Sequence, residues 1–223
     1  MRLRCILFLS LLSLLIITGC SSEQAKQTAL IEVIYPENIV PTKDKLQEIC
    51  KEYDLPASSV YQWKNHLILY GVLTHLPDMK DKIIQIYPEA SVKIYDQPFY
   101  EFNRQGCENK ETAKEWDHII MTANLVDDKT MQEEYMNYHA TQFEKWPEIS
   151  NGFCKADFQQ LLIFRNGRQL MLIISIPKGE DLDELNPKTT EDNPRVDEWN
   201  AIMGKYQEGI SGTEPHETWV VFN

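Results

Sequence analysis

From residue 29 onward, short β-branched apolar runs alternate with stretches whose apolar residues recur every three to four positions. Residues 29–35 are almost wholly apolar and end at Pro36, which predicts a strand. Pro41-Thr42 then offers a helix start, with Leu46, Ile49, Cys50 and Tyr53 on one face. Residues 60–63 and 67–72 flank Lys64-Asn65 as a hairpin. Pro77-Asp78 opens a second helix with Met79, Ile83, Ile86 and Tyr87 on one side, and residues 91–95 close the set as a strand. The order is β-α-β-β-α-β.

Residues 98–117 are polar, carry Gly106 and a run of charges, and read as a connector. Beyond them the order repeats. Residues 118–126 form a strand, and 129–145 a helix that Asp127 or Asp128 can cap. Residues 160–164 and 169–175 make a hairpin around Arg165-Asn166-Gly167-Arg168. A helix over 195–208 carries Val196, Trp199, Ile202, Met203 and Tyr206, and 218–222 is the last strand. Two such units are two ferredoxin-like halves of the α+β class. Each sheet has helices on one face only, so the other face needs a cover, and the twin sheet is the natural one. The expected architecture is a tandem pseudo-dimer built like a dimeric α+β barrel, with halves 29–97 and 118–223. Two independent domains side by side are the alternative.

The first 28 residues follow another pattern. Arg2 and Arg4 precede an uncharged apolar run that ends in Ile17-Thr18-Gly19-Cys20 and the polar Ser21-Ser22-Glu23-Gln24. The run is short and wrongly flanked for a spanning helix and has the layout of an export signal. The tetrapeptide resembles the lipobox of bacterial lipoproteins. That resemblance implies a signal peptide over 1–19, lipidation of Cys20 and a polar tether to residue 28. A membrane-anchored lipoprotein on the periplasmic or outer-membrane side is therefore expected.

Cleavage would remove two arginines and take the formal net charge of −12 to about −14. So acidic a surface argues against nucleic acid as a partner and leaves neutral ligands such as sugars open. Of the cysteines, Cys50, Cys107 and Cys154 would remain, widely spaced and without a histidine cluster. An exported chain can oxidise one pair of them and leave one thiol free, and no metal site is expected.

Among five histidines, His139 stands out because Tyr135 lies four residues before it on the same helical face. On spacing alone such a pair is usually packing or a solvated polar face. Tyr135-x-x-x-His139, Trp146-Pro147-Glu148, residues 163–171 (IFRNGRQLM), and Asn193-Pro194-Arg195-Val196-x-Glu198-Trp199-x-x-x-Met203-x-x-Tyr206-Gln207 with the late Trp219 together resemble the L-rhamnose mutarotase family over 118–223. The resemblance implies the ferredoxin-like fold and interconversion of sugar anomers without cofactor or metal. It also implies His139 as general acid and Tyr135, Trp199 and Trp146 as sugar-binding residues. Glu148 is a partner carboxylate by position or a solvated charge.

This chain departs from the family pattern in three places. Six residues separate His139 from Trp146 where about three are usual. Leu161 stands where a hairpin tyrosine is expected, and Asn200 follows Trp199 in place of a second aromatic. The expected activity is mutarotation of a deoxy sugar of the L-rhamnose or L-fucose class by acid/base ring opening. A non-catalytic sugar-binding lipoprotein on the same fold is the alternative, and a haem-handling activity on a dimeric α+β barrel a more distant one. The first half carries no Tyr-x-x-x-His and no Trp-Pro-Glu. It is expected to supply the second sheet, so that a monomer suffices.

Overall fold

The computed structural model describes residues 27–73 and 75–223. The expected signal peptide, Cys20 and nearly all of the tether lie outside them. Among the described residues no helix is long and apolar enough to cross a membrane.

The first half runs β1 (Gln27–Ile34), α1 (Asp44–Glu52), β2 (Val60–Trp63), β3 (His66–Leu73), α2 (Leu76–Ile86) and β4 (Ser91–Tyr95). Its strands pair antiparallel in the order β2-β3-β1-β4, the ferredoxin-like arrangement. The two-residue period of a strand sorts its side chains between two cores. Ala29, Ile31 and Val33 face Leu46, Ile49, Met79 and Ile83 of the two helices, while Leu30 faces the other way.

The second half departs from expectation at its start. Residues 98–117 are not only a connector: β5 (Pro98–Asn103) is a strand, followed by a 3-10 turn over 104–106. Then come β6 (Trp116–Leu125), α3 (Lys129–Ala140), α4 (Gln142–Lys145), α5 (Pro147–Lys155), β7 (Gln160–Asn166) and β8 (Gln169–Pro177). After a short α6 (Leu182–Leu185) the chain ends with α7 (Pro194–Met203), β9 (Gln207–Glu208) and β10 (Val220–Phe222). The sheet order β10-β6-β8-β7 repeats that of the first half, and β5 is added beyond β7 as a fifth strand on that path. The expected helix over 129–145 breaks at Thr141, and α7 stops at Gly204 rather than 208. Asp128 caps α3, its carboxylate accepting from the Met131 amide at 3.0 Å. Pro147 starts α5 rather than only ending a helix, since a missing N–H costs nothing in a first turn.

The two sheets face one another, as a pseudo-dimer requires. Leu30, Ile68, Tyr70 and Tyr95 of the first pack against Ile120, Leu162, Phe164, Met171, Ile173 and Phe222 of the second. At one edge Gln62 and Asn223 exchange both backbone hydrogen bonds, at 2.8 and 3.0 Å, joining β2 to the end of β10. The helix-facing side of the second sheet is left for α3, α5 and α7, and the candidate site lies there.

Cys107 and Cys154 form a disulfide, and Cys50 is a buried free thiol. The bridge ties the segment after β5 to the end of α5. Replacing both cysteines by serine is expected to cost about 2–4 kcal/mol, the usual range for a cross-link of moderate span. Chemical denaturation of the double variant beside the oxidised parent measures it.

Candidate active site

The centre of the site is set by one turn of α3. Tyr135 and His139 sit at i and i+4, so their side chains meet, with ring centroids 4.3 Å apart. Both are buried. His139 Nδ1 lies 3.0 Å from the Tyr135 carbonyl. A carbonyl can only accept, so the neutral imidazole carries its proton on Nδ1 and Nε2 keeps a lone pair. Phe99, Tyr100 and Trp199 surround the ring edge-on at 5.2–5.7 Å. Burial among these rings lowers the His139 pKa to about 4, the bond to the Tyr135 carbonyl opposing the shift. At neutral pH the ring is uncharged. Burial likewise raises the pKa of the Tyr135 phenol, against a smaller opposing effect of Gln207.

A directed chain of hydrogen bonds holds that phenol. The Trp219 indole N–H donates to Gln207 Oε1 at 3.1 Å, and Gln207 Nε2 donates to the Tyr135 oxygen at 3.3 Å. An indole N–H cannot accept, so it sets which end of the Gln207 amide points at Tyr135. The Tyr135 oxygen is thereby an acceptor in this bond, and its own proton remains available to a ligand.

These groups line a cavity of about 350 Å³ whose floor is the helix-facing side of the sheet, with Leu161, Ile163, Leu172 and Ile174. Tyr100, Trp199, Asn200 and Trp219 complete its wall. The cavity is thus mostly apolar with a few polar groups converging on it, as small-molecule sites are. Among the described residues no cluster of three or more His, Cys, Asp or Glu is placed to hold a metal ion.

Three of the four sugar-site residues expected from the sequence, His139, Tyr135 and Trp199, come together on this cavity. Trp146 does not line it. Its ring packs 5.6 Å behind Trp199, with the Arg195 guanidinium 3.7 Å over it, so it supports the wall instead of touching a ligand. Glu148 Oε2 sits 3.9 Å from Arg195 Nε, and Glu148 does not line the cavity. Leu161 and Asn200 both face the cavity, as replaced contact residues would.

Tyr100 is the residue that sequence reasoning missed. It comes from β5, in the segment read as a connector, and its hydroxyl donates to Gln142 at 2.7 Å. Gln142 is fully buried and belongs to α4, the turn formed by the residues between His139 and Trp146. Those additional residues therefore carry the partner that holds Tyr100 against the imidazole.

A family model described as L-rhamnose mutarotase matches residues 118–223. An L-fucose mutarotase of Xanthomonas campestris pv. campestris is 33% identical over 103 residues, which cover 45% of this chain and 79% of that protein. A UPF0734 protein of Dictyostelium discoideum is 30% identical over 106 residues, 48% of this chain and 77% of its own. Among solved structures, a ferredoxin-fold protein of Listeria monocytogenes related to antibiotic biosynthesis monooxygenases superposes with a TM-score of 0.43 at 10% identity. The match covers 89% of this chain and 94% of that one.

Proposed function

This chain belongs to the L-rhamnose mutarotase family through residues 118–223, and from that premise we propose that it interconverts the α and β anomers of a deoxy sugar of the L-rhamnose or L-fucose class. The observation that carries the reading is the Tyr135–His139 pair, which presents one acceptor and one donor to the same cavity.

Mutarotation requires a proton to leave the anomeric hydroxyl while another reaches the ring oxygen. His139 Nε2 has the lone pair and takes the first. Tyr135, whose oxygen already accepts from Gln207, gives the second. The bond between C1 and the ring oxygen breaks, C1 becomes an aldehyde carbonyl, and the ring oxygen becomes a hydroxyl. Rotation about C1–C2 turns the other carbonyl face inward, and the two protons return as the ring closes. Burial disfavours a lone imidazolium or a lone phenolate, so the two transfers are concerted, and the open-chain state holds the two ions only as a neighbouring pair until the protons return. His139 thus acts first as a base, whereas the sequence resemblance implies a general acid; it is the acid in the closing half. The apolar floor around Leu161 suits the methyl group of a deoxy sugar, and Trp199 offers an apolar face to its C–H bonds.

In this reading the mature protein is a lipid-anchored monomer exported from the cytoplasm, tethered at Cys20 and without nucleic-acid partners. The Cys107–Cys154 disulfide supports an oxidising compartment. The first half acts as the second subunit of the barrel, which its apolar seam with the second sheet supports.

Anomer exchange on equilibrated L-rhamnose and L-fucose, followed by saturation-transfer NMR, tests the activity. Wild type accelerates exchange on at least one sugar, and Tyr135→Phe, which keeps the ring and loses the donor, lowers the acceleration about 10²–10⁴-fold. Sugar binding without exchange in the wild type would replace the enzyme by a binding protein. Full activity in Tyr135→Phe would remove Tyr135 as the donor.

A further inference from the structure

We infer that the chain carries a second ligand site, a cleft for a neutral pyranose unit on the opposite side of the second sheet from the catalytic cavity. The cleft measures about 630 Å³, larger than the catalytic cavity and within the range of about 300–1,000 Å³ usual for small-molecule sites. Both halves wall it: the loop after α1 and the ends of β2 and β3 on one side, the start of β6 on the other. Trp116 and His118 share the strand face of Ile120, which belongs to the core between the sheets, so the cleft and the catalytic cavity do not communicate through that sheet.

Its chemistry is that of sugar recognition. Tyr53, Tyr61 and Trp116 are only partly buried and present ring surface to the space. The Trp116 indole N–H already donates to the Ala113 carbonyl at 2.9 Å, leaving the ring faces for a ligand. Aromatic faces of this kind pack against the C–H side of a pyranose. Beside them, Asp54 holds a left-handed backbone conformation, φ 56°, and its carboxylate has no hydrogen bond or ion pair among the described residues. A free carboxylate is an acceptor for two adjacent sugar hydroxyls, and Ser58 lies on the same wall.

The back of the cleft is built and rigid. His118 Nδ1 and Ser175 Oγ lie 2.9 Å apart, Ser175 is fully buried and also bonds the Tyr70 phenol, and Tyr70 packs edge-on against His118 at 5.1 Å. Among the described residues no lysine or arginine lines the cleft, which disfavours an anionic ligand. The position in the first half equivalent to the catalytic cavity, between its sheet and helices, is occupied by Leu46, Ile49, Met79 and Ile83, so the cleft is not a pseudo-symmetric copy of that cavity. This cleft is therefore a separate feature created by the junction of the halves, and it does not rest on the catalytic reading.

The test is an NMR titration of the full chain, following the Trp116 indole resonance, assigned by its disappearance in Trp116→Phe. Three probes separate the sources of the sugar: L-fucose, its methyl glycoside, which cannot mutarotate, and 2′-fucosyllactose, in which the same unit ends a glycan. We expect saturable shifts of Trp116 with at least one of them, unchanged in Trp199→Ala, which damages only the catalytic cavity. Asp54→Ala should weaken that binding at least fivefold while leaving wild-type anomer exchange within twofold. A response to the monosaccharides alone identifies a free sugar, and one to the trisaccharide identifies a glycan end. A silent Trp116 resonance with all three probes overturns the inference, whatever the exchange assay shows. A response to tetramethylammonium with none to sugars overturns it too, converting the cleft into a cation cage.

Discussion

Replacing His139 by glutamine is expected to lower the catalysed rate of anomer exchange about 10²–10⁴-fold, the usual worth of a positioned proton-transfer group. The expected loss comes from the lone pair of Nε2, which the bond from Nδ1 to the Tyr135 carbonyl leaves unprotonated. The pH profile is a stronger test than the size of the loss. With its pKa lowered to about 4, His139 stays neutral throughout the working range. kcat/KM should therefore remain flat from pH 8 to about 5 and fall through about 4 as the base is protonated. A fall centred near 6.5, where an unperturbed imidazole titrates, would mean that the ring is solvated in the working enzyme, and the concerted scheme would fail. The same group leaves a mark on stability. The unfolded chain binds a proton at His139 below about 6.5 and the folded chain only below about 4, so stability falls as pH is lowered across that window. The full effect is about 3 kcal/mol, complete only below the lower value. His139→Gln should lack this slope in denaturation curves taken at pH 4.5, 5.5 and 7.

The Tyr135–His139 pair was readable because helical spacing alone places positions i and i+4 together. The two β-α-β-β-α-β units were readable for a similar reason: each element buries one side, and the periods of 2 and 3.6 survive in the order of residues. What failed were features decided by partners distant in sequence. Phe99, Tyr100 and Phe102 make an aromatic run that suits a strand. Pro98 and the charges that follow hid it, and only pairing with β7 makes β5 a strand. Pro147 marks both the end of one helix and the first turn of the next, and local sequence does not separate the two. Trp146 belongs to the motif that identifies the family yet stands behind Trp199, because nearness along a motif does not specify which ring faces the cavity. Gln207 orients Tyr135 across 72 residues of chain through a bond that no spacing rule foretells.

Glu32→Ala is expected to destabilise the protein by about 3–5 kcal/mol, the cost of removing one partner from a buried charged cluster. Glu32 lies on β1, fully buried, on the side of the first sheet that faces the second. Its carboxylate is 2.8 Å from His66 Nδ1, accepts from the Tyr95 hydroxyl at 2.9 Å and from Gln169 Nε2 at 3.0 Å, and lies 3.9 Å from Lys93 Nζ. Gln169 is on β8, and its amide also donates to Thr122 on β6 at 3.1 Å. A carboxylate of one half is thus bonded to an amide of the other, within a seam otherwise formed by residues such as Leu30, Ile68 and Ile173. Deleting it removes the shared acceptor of donors from both halves. Glu32→Gln keeps one acceptor oxygen and should cost less. Urea unfolding at pH 7, followed by tryptophan fluorescence, measures both variants. A loss below 1 kcal/mol for Glu32→Ala would mean that water replaces the carboxylate and that the seam needs no polar anchor. A double-mutant cycle with Gln169→Ala assigns the coupling to the bond between the halves: an interaction above about 1 kcal/mol is expected for groups in direct contact, and additivity would place the cost within the first half alone. Coupling of that size would fix the first sheet against the second. Apolar faces hold the sheets together in many registers, whereas a single buried carboxylate with partners on both sides is satisfied in one.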